Sequence, residues 1–339
     1  MKIHRRRCLQ QAACAALSAA AAWAAPAAAS AQSKEAGGPE PLPIVDTHQH
    51  LWDLTRLRLS WLKGRNALNR NFVMKDYLEA TAGLNVVKAV YMEVDVDAED
   101  QLAEADYILE ICRRGDTPTC AAVIGGRPGQ PGFRDYITRF KGNPYIKGVR
   151  QVLFAWKEGN PFFLDKTFVD SIRLLGELGM SFDLCVPPAG LADAVKLVDL
   201  CPGTRFILDH CGNADVKQFY PAQKHATPEQ ASEARRFVER WRRDIAEMAQ
   251  RTRVICKISG IVASVPEQWA PDDLAPIINH CLDSFGPDRV VFGGDWPVCT
   301  RGATFRQWVE ALRHVVRHRS LADQRKLFSE NAIRFYGLS

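Results

Sequence analysis

The chain has 339 residues and a formal net charge of +5, and Lys2, Arg5, Arg6 and Arg7 supply four of these charges. The part after residue 31 therefore carries a net charge of only +1, which gives no support for a nucleic-acid partner. Its cysteines form no C-x-x-C motif and no zinc-finger spacing, so we expect no required disulfide.

The first 31 residues resemble a cleavable export signal. The paired arginines precede an alanine-rich run over residues 11–31, and Ala29, Ser30 and Ala31 supply the small residues of a cleavage site. This pattern resembles a twin-arginine signal peptide, and the alternative is a membrane anchor. The run is only mildly hydrophobic, and no cysteine follows it in lipobox position, which favours cleavage near Ala31 and a periplasmic product without a membrane anchor. Residues 32–43 are rich in Gly, Pro and charge and predict a short flexible lead-in.

From residue 44 to residue 339, short β-branched apolar runs alternate with amphipathic stretches of helical length. Strands are predicted at 44–48, 86–95, 120–125, 146–153, 181–186, 205–210, 253–259 and 289–294. Helices are predicted at 100–114, 132–141, 165–178, 191–200, 229–250, 272–285, 304–318 and 321–335. This alternation predicts an α/β fold, a TIM-like (β/α)8 barrel over residues 44–339. An open doubly wound sheet is the alternative, but no G-x-G-x-x-G motif follows the first strand.

Polar residues gather at the ends of the predicted strands, where barrel enzymes place their chemistry. The first strand runs into His48 and His50, which share one face because side chains alternate along a strand. The sixth strand ends in His210, and Asp295 follows the eighth. We therefore expect these four residues to form a cluster at one rim of the barrel.

Other residues near the same rim are candidates for binding substrate: Arg150 on the fourth strand, Arg127 after the third, Lys257 on the seventh and Trp296 after the eighth. Arg150 can hold a carboxylate or sulfonate as a bidentate fork, or it can form a structural salt bridge. The acids at the end of the second strand, Glu93 and Asp95, either pair with Arg150 or contact substrate.

Several motifs occur in an order and spacing that resemble the amidohydrolase superfamily. They are D-T-H-Q-H-L-W-D from residue 46, I-K-G-V-R from 146, L-D-H-C-G from 208, C-K-I-S-G from 256, F-G-G-D-W-P from 292 and N-A-I-R-F-Y-G from 331. The chain is most similar to the amidohydrolase-related branch, which includes fuconolactonases, rhamnonolactonases, and the 2-pyrone-4,6-dicarboxylate and sulfomuconolactone hydrolases. The resemblance implies a metallo-dependent hydrolase type of barrel.

The resemblance also implies roles for the rim residues. Asp295 would activate water and later return its proton, while His48, His50 and His210 would polarise a carbonyl. The same four residues could instead hold one Zn²⁺. Fully metallated members have a histidine on the fifth strand, which this chain lacks, so a binuclear centre is not expected; lactonases that resemble this branch can also work without a required metal.

The leading hypothesis is hydrolysis of a small anionic lactone, either sulfomuconolactone-like or a sugar-acid lactone. The alternatives are a zinc-dependent decarboxylase of the same superfamily and an exported binding protein without catalysis. The expected partners are the small anionic substrate and the twin-arginine export machinery, for a chain that is a monomer or a small homo-oligomer. Loops 54–71 and 214–227 would set the substrate, and residues 217–227 are a candidate lid.

Overall fold

The fold was analysed in a computed structural model that describes residues 42–64, 67–220 and 227–339. The predicted signal at 1–31 lies outside the described residues, as do most of the lead-in at 32–43 and part of the candidate lid at 217–227. Within the described ranges, no helix is long and apolar enough to cross a membrane.

The predicted strands are all present, and their ends differ from the predicted ones by three residues or fewer. They are β1 (Ile44–Gln49), β2 (Val86–Met92), β3 (Thr119–Gly125), β4 (Ile146–Val152), β5 (Ser181–Cys185), β6 (Arg205–Leu208), β7 (Val254–Ile258) and β8 (Val290–Phe292). Each strand pairs in parallel with the next in chain order. A bridge between Gln49 and Trp296 joins the first and last strands, so the sheet is a nearly closed barrel, as predicted.

Helices follow the strands around the outside of the barrel. They are α1 (Met74–Thr81), α2 (Gln101–Arg114), α3 (Phe133–Thr138), α4 (Lys166–Glu177), α5 (Leu191–Leu200), α6 (Pro228–Ala249), α7 (Pro271–Phe285), α8 (Phe305–Val316), α9 (Leu321–Arg325) and α10 (Asn331–Tyr336). Helix α1 was not predicted, because its eight residues are too few for a clear helical period. A π-helical turn at Lys326–Glu330 joins α9 to α10, where the sequence predicted one uninterrupted helix.

The barrel interior changes from apolar to charged along the strands. Near their start, the interior is filled by small and β-branched side chains and by Tyr336 of α10: Val45, Val90, Ala121, Val123, Ile207, Ile255 and Val291. Because side chains alternate along a strand, Asp209 shares the interior face with Ile207, and Lys257 shares it with Ile255. Burial of these apolar side chains stabilises the fold. This free energy offsets the cost of burying charged side chains at the other end of the barrel interior, next to the functional site.

A buried carboxyl group links α2 to the end of β2. Glu104 is fully buried, and its Oε1 accepts hydrogen bonds from the Val94 amide at 2.7 Å and the Tyr91 hydroxyl at 3.0 Å. Burial raises the pKa of Glu104 to about 8, and the negative charge of Glu93 acts in the same direction. Glu104 is therefore protonated in the folded protein at neutral pH.

We predict that Glu104 makes stability fall as pH rises. An unfolded glutamic acid loses its proton near a pKa of about 4.3, whereas the folded protein keeps this proton until pH approaches 8. Between these values the folded state binds more protons, so the free energy of unfolding decreases with pH. Glu104→Gln, which mimics the protonated form, should remove a slope of about 1 kcal/mol per pH unit in urea unfolding between pH 5.5 and 7.5.

Glu110→Gln is the matched control, because Glu110 lies on the same helix with its side chain 56% exposed. Its pH dependence should equal that of the wild type. Equal slopes for Glu104→Gln and the wild type would show that Glu104 is ionised in the folded protein.

Candidate active site

A single buried carboxylate, that of Asp46, connects β1 with the segment after β8. These two parts of the chain carry three of the four residues of the predicted cluster. Asp46 Oδ1 accepts hydrogen bonds from the backbone amides of His48, at 3.0 Å, and Gly294, at 2.7 Å. Its Oδ2 accepts a hydrogen bond of 2.9 Å from the Tyr77 hydroxyl. Position 294 has no room for a side chain, because a Cβ there would lie 2.2 Å from Phe305. These contacts fix the residues after β8 against β1.

Two of the predicted catalytic residues have backbones in the left-handed region. The φ angles are 54° at Asp295 and 53° at His210, values that only a few per cent of non-glycine residues adopt. His210 begins a tight turn, His210–Asn213, in which every residue has positive φ. Such strained residues are concentrated at functional sites, because the surrounding structure must stabilise them.

The structure brings His48, His50, His210 and Asp295 together, with all four side chains largely buried. Asp295 Oδ1 lies 3.3 Å from His50 Nε2 and 3.7 Å from His48 Nε2. The His48 ring is 4.8 Å from the His50 ring and 4.4 Å from the His210 ring between centroids. The four residues therefore form a compact cluster at the C-terminal ends of β1, β6 and β8.

Lys257 lies beneath this cluster and has no exposed surface. Its Nζ is 2.8 Å from Asp183 Oδ2, 2.9 Å from Asp209 Oδ1 and 3.1 Å from His48 Nδ1. Burial alone would lower the pKa of Lys257, but these two carboxylates raise it above its ordinary value. The structure therefore gives Lys257 a role in holding His48, and it does not place it where it could bind substrate as the sequence suggested.

Arg150 holds the opposite edge of His48. Its Nε lies 2.7 Å from Glu93 Oε1, its Nη2 donates to the Glu93 carbonyl at 2.8 Å, and its Nη1 is 3.2 Å from His48 Nε2. Of the two roles left open by the sequence, the salt bridge with Glu93 is the one present in the structure. Part of the guanidinium still faces the cavity above the cluster.

Two further candidates do not reach the cavity wall. Arg127 forms an ion pair with Asp95, 2.9 Å between Nη2 and Oδ1, and lines a separate surface groove. Trp296 is 3% exposed and packs edge-on against Phe72 and Tyr77. Its position directly after Asp295 suggested a pocket residue, but the turn of the chain at Asp295 directs its ring into the core.

The contacts of His48 determine its protonation. Burial lowers the pKa of His48 well below its ordinary value, and the charge of Lys257 lowers it further, so the ring is neutral. The two ring nitrogens of His48 face cations that can only donate, Lys257 Nζ at Nδ1 and Arg150 Nη1 at Nε2, so the neutral ring accepts a hydrogen bond from only one of them. His48 itself has no exposed surface, whereas Arg150 lines the cavity.

His50 and Asp295 present a different combination. Nδ1 of His50 lies 3.0 Å from the Met92 carbonyl, which can only accept, so Nδ1 carries a proton. A neutral His50 then directs the lone pair of Nε2 at the Asp295 carboxylate, 3.3 Å away. Two acceptors at this distance require a cation between them, either a proton or a metal ion.

The donor set therefore fits one small metal ion. The ligand atoms of His48, His50 and Asp295 lie within 4.8 Å of one another, and the same is true of His48, Asp209 and His210. A metal ion on Nε2 of His48 would displace Nη1 of Arg150, so binding there competes with an existing contact. The fixed Nδ1–H of His50 is the usual arrangement of a histidine ligand.

Three members of the cluster, His50, His210 and Asp295, form the floor of a cavity of about 500 Å³. Its wall includes residues that the sequence analysis did not select as site residues: Trp61, Val94, Val152, Phe154, Asn213, Ala263, Val298 and Arg301. They lie at the C-terminal ends of the strands or in the segments that follow them, and the only sequence signal for them was that position. Loop residues have no periodic pattern, so their convergence required the structure.

Comparison with known proteins agrees with this geometry. The amidohydrolase family model matches residues 45–338. An L-fucono-1,5-lactonase from Burkholderia multivorans is 25% identical over 304 residues, covering 87% of this chain and 96% of that protein. An L-rhamnono-gamma-lactonase from Scheffersomyces stipitis is 24% identical, covering 87% and 98%.

A solved structure of an amidohydrolase from Burkholderia multivorans with bound zinc has the same fold. Its TM-score is 0.74 at 23% identity, and the match covers 88% of this chain and 100% of that one. Strand order, the position of the cluster and the family match over nearly the whole barrel lead to one conclusion. The chain belongs to the amidohydrolase family.

Proposed function

We propose that this amidohydrolase opens a small anionic lactone, with Asp295 as the base that activates water. The observation that carries the proposal is the carboxylate of Asp295 on the floor of a cavity that the guanidinium of Arg150 also lines. A base and a hydrogen-bond donor side by side are what ester hydrolysis requires. The lactonase names of two relatives that align over most of the chain support the same reaction.

The residues perform the reaction in two steps. In the first, Asp295 takes a proton from water while the water oxygen bonds to the lactone carbonyl carbon, and the carbonyl oxygen becomes an oxyanion. The guanidinium of Arg150, which lines the cavity, stabilises this charge. In the second, the bond from the carbonyl carbon to the ring oxygen breaks and Asp295 returns its proton to the ring oxygen. The product is a hydroxy acid.

Two cations on the cavity wall, Arg150 and Arg301, favour an anionic substrate. The charge of Arg150 is largely balanced by Glu93, so its contribution is greatest when an oxyanion forms beside it. Arg301 has no acidic partner in the described ranges. The site is therefore suited to a substrate that carries negative charge away from the scissile bond.

We further propose that the site holds one Zn²⁺ through His48, His50 and Asp295. When bound, the ion would lower the pKa of a water molecule and polarise the carbonyl. A second ion is not part of the proposal, because β5 presents Asp183, which is engaged by Lys257, where a histidine would be needed.

Finally, we propose that the chain is exported by the twin-arginine route and cleaved near Ala31. The paired arginines, the mildly apolar alanine-rich run and the small residues before position 32 support this proposal.

Replacement of Asp295 tests the reaction. Asp295→Asn should reduce kcat on a hydrolysed lactone by about 10²–10⁴-fold, because an amide cannot accept the proton of water. The measurement is acid release in a pH-stat across a lactone panel, with CO₂ release monitored in parallel on aromatic carboxylates. Asp272→Asn is the control, since its side chain is 75% exposed and pairs only with His314 on the surface.

Wild-type turnover by Asp295→Asn would contradict the proposed mechanism. Release of CO₂ without lactone hydrolysis would instead identify a decarboxylase. Binding of a lactone without turnover, unchanged in Asp295→Asn, would identify a binding protein.

Metal binding is tested by titration of chelator-treated protein with Zn²⁺. We expect one equivalent per chain, with affinity lowered at least about tenfold in His50→Ala because the ion loses a ligand. His318→Ala, at an exposed position two residues after the end of α8, should bind zinc as the wild type does. Equal affinities for the His50 variant and the wild type would place the ion elsewhere.

Export is tested by changing two of the three consecutive arginines, Arg5, Arg6 and Arg7. The double variant Arg6→Lys, Arg7→Lys should leave the full-length chain in the cytoplasm, whereas the wild type should appear in the periplasmic fraction with an N-terminus near residue 32. Lys2→Arg is the control, because it keeps the charge without touching the pair. Periplasmic recovery of the double variant at the wild-type level would exclude this route.

A further inference from the structure

The wall of the catalytic cavity differs in character from its floor. Above the cluster, apolar side chains form most of the wall: Trp52, Trp61, Val94, Val152, Phe154, Ala263 and Val298. The floor is charged and hydrogen-bonded, whereas this wall offers few groups that could bind hydroxyls. A ligand that fills the cavity therefore places an apolar surface against the wall.

Two aromatic rings on this wall have large exposed surfaces. Trp61 is 41% exposed and Phe154 is 56% exposed, although large apolar side chains are usually buried. The indole N–H of Trp61 donates to the Val94 carbonyl at 2.8 Å, and its ring packs edge-on against Trp52 at 5.9 Å. Because its polar group is already used, Trp61 presents only an oriented apolar surface to a ligand.

The polar groups of the wall are mostly engaged with the protein. Asn213 donates its amide N–H to the Val186 carbonyl at 2.8 Å, and Asp95 pairs with Arg127. A polyhydroxylated ring would lose its hydrogen bonds to water here without replacing them, at a cost of about 1–3 kcal/mol for each unsatisfied group. The wall therefore disfavours a sugar-like substrate.

Arg301 is the exception on this wall. It forms no ion pair within residues 42–64, 67–220 and 227–339, whereas Arg150 and Arg127 each have an acidic partner. It ends the short helical turn Val298–Arg301, which the backbone hydrogen bond from Cys299 N to the Asp295 carbonyl, at 2.7 Å, ties to the catalytic residue. The turn holds Arg301 near Asp295, and its guanidinium has no acidic partner in the described ranges. Arg301 is therefore suited to bind a carboxylate.

We propose that Trp61, Phe154 and Arg301 determine specificity, and that the substrate is a lactone bearing an apolar, ring-sized group and a carboxylate. The apolar group packs between the aromatic residues and the aliphatic wall, and Arg301 binds the carboxylate. This inference rests on the proposed lactone hydrolysis for the reaction, but the binding preference holds without turnover. It also implies that a polyhydroxylated lactone is a poor substrate for this chain.

Binding is measured first, by calorimetry with two carboxylates of similar size. The wild-type protein should bind 3-phenylpropanoate at least tenfold more tightly than gluconate. Trp61→Ala and Arg301→Gln should each weaken 3-phenylpropanoate binding at least fivefold. Leu321→Ala and Arg113→Gln are the controls, because both residues are exposed and lie outside the cavity, and they should leave the affinity unchanged.

Turnover is then compared on dihydrocoumarin, its 6-carboxylate and D-glucono-1,5-lactone. The expected order of kcat/KM is the carboxylate, then dihydrocoumarin, then gluconolactone, and Arg301→Gln should bring the ratio of the first two close to one. Phe154→Ala should raise KM for both aromatic lactones more than it changes kcat, which a purely structural role would not produce.

The outcomes separate this inference from the proposed function. Tighter binding of gluconate, or equal affinities in the wild type and both cavity variants, would overturn the inference even if lactones are hydrolysed. Selective binding of 3-phenylpropanoate that depends on Trp61 and Arg301 would support it even if no lactone is turned over, in which case only the proposed reaction fails.

Discussion

The carboxylate of Asp46 is the contact on which the site depends. It accepts hydrogen bonds from the backbone on both sides of the barrel closure, at His48 and Gly294, and from Tyr77 of α1. Residues 46 and 294 are far apart in the sequence, yet this one buried group sets the spacing between the His48 imidazole and the Asp295 carboxylate. A displacement of the Asp46 carboxylate by about 1 Å would change the distance between the His48 imidazole and the Asp295 carboxylate.

A second constraint acts beneath the site, where buried charges balance one another. Lys257 is paired with Asp183 and Asp209, and Arg150 is paired with Glu93. Removing one partner from such a pair costs about 3–5 kcal/mol, because the remaining charge stays buried. Both cations also contact His48, so burial and the charges of Lys257 and Arg150 together keep this imidazole neutral.

The sequence predicted the barrel and the four-residue cluster because both leave local signals. Strands alternate with helices at regular intervals, and His48, His50, His210 and Asp295 follow apolar runs directly. The roles of Lys257 and Trp296 could not be predicted in the same way. Neighbouring residues of a strand or turn point in different directions, and the sequence does not show which of them faces the cavity. Arg301 and Phe154 were missed because only the three-dimensional path of the loops brings them to the cavity.

The floor and the wall of the cavity are held in different ways, and this difference bears on how specificity can vary. The floor depends on strained backbone at His210 and Asp295 and on buried ion pairs, so a substitution there disturbs the fold as well as the reaction. Phe154 and Arg301 are exposed. Surface substitutions of this kind change stability by about 0.5 kcal/mol or less. The wall can therefore be altered to fit another ligand while the floor of the cavity stays intact.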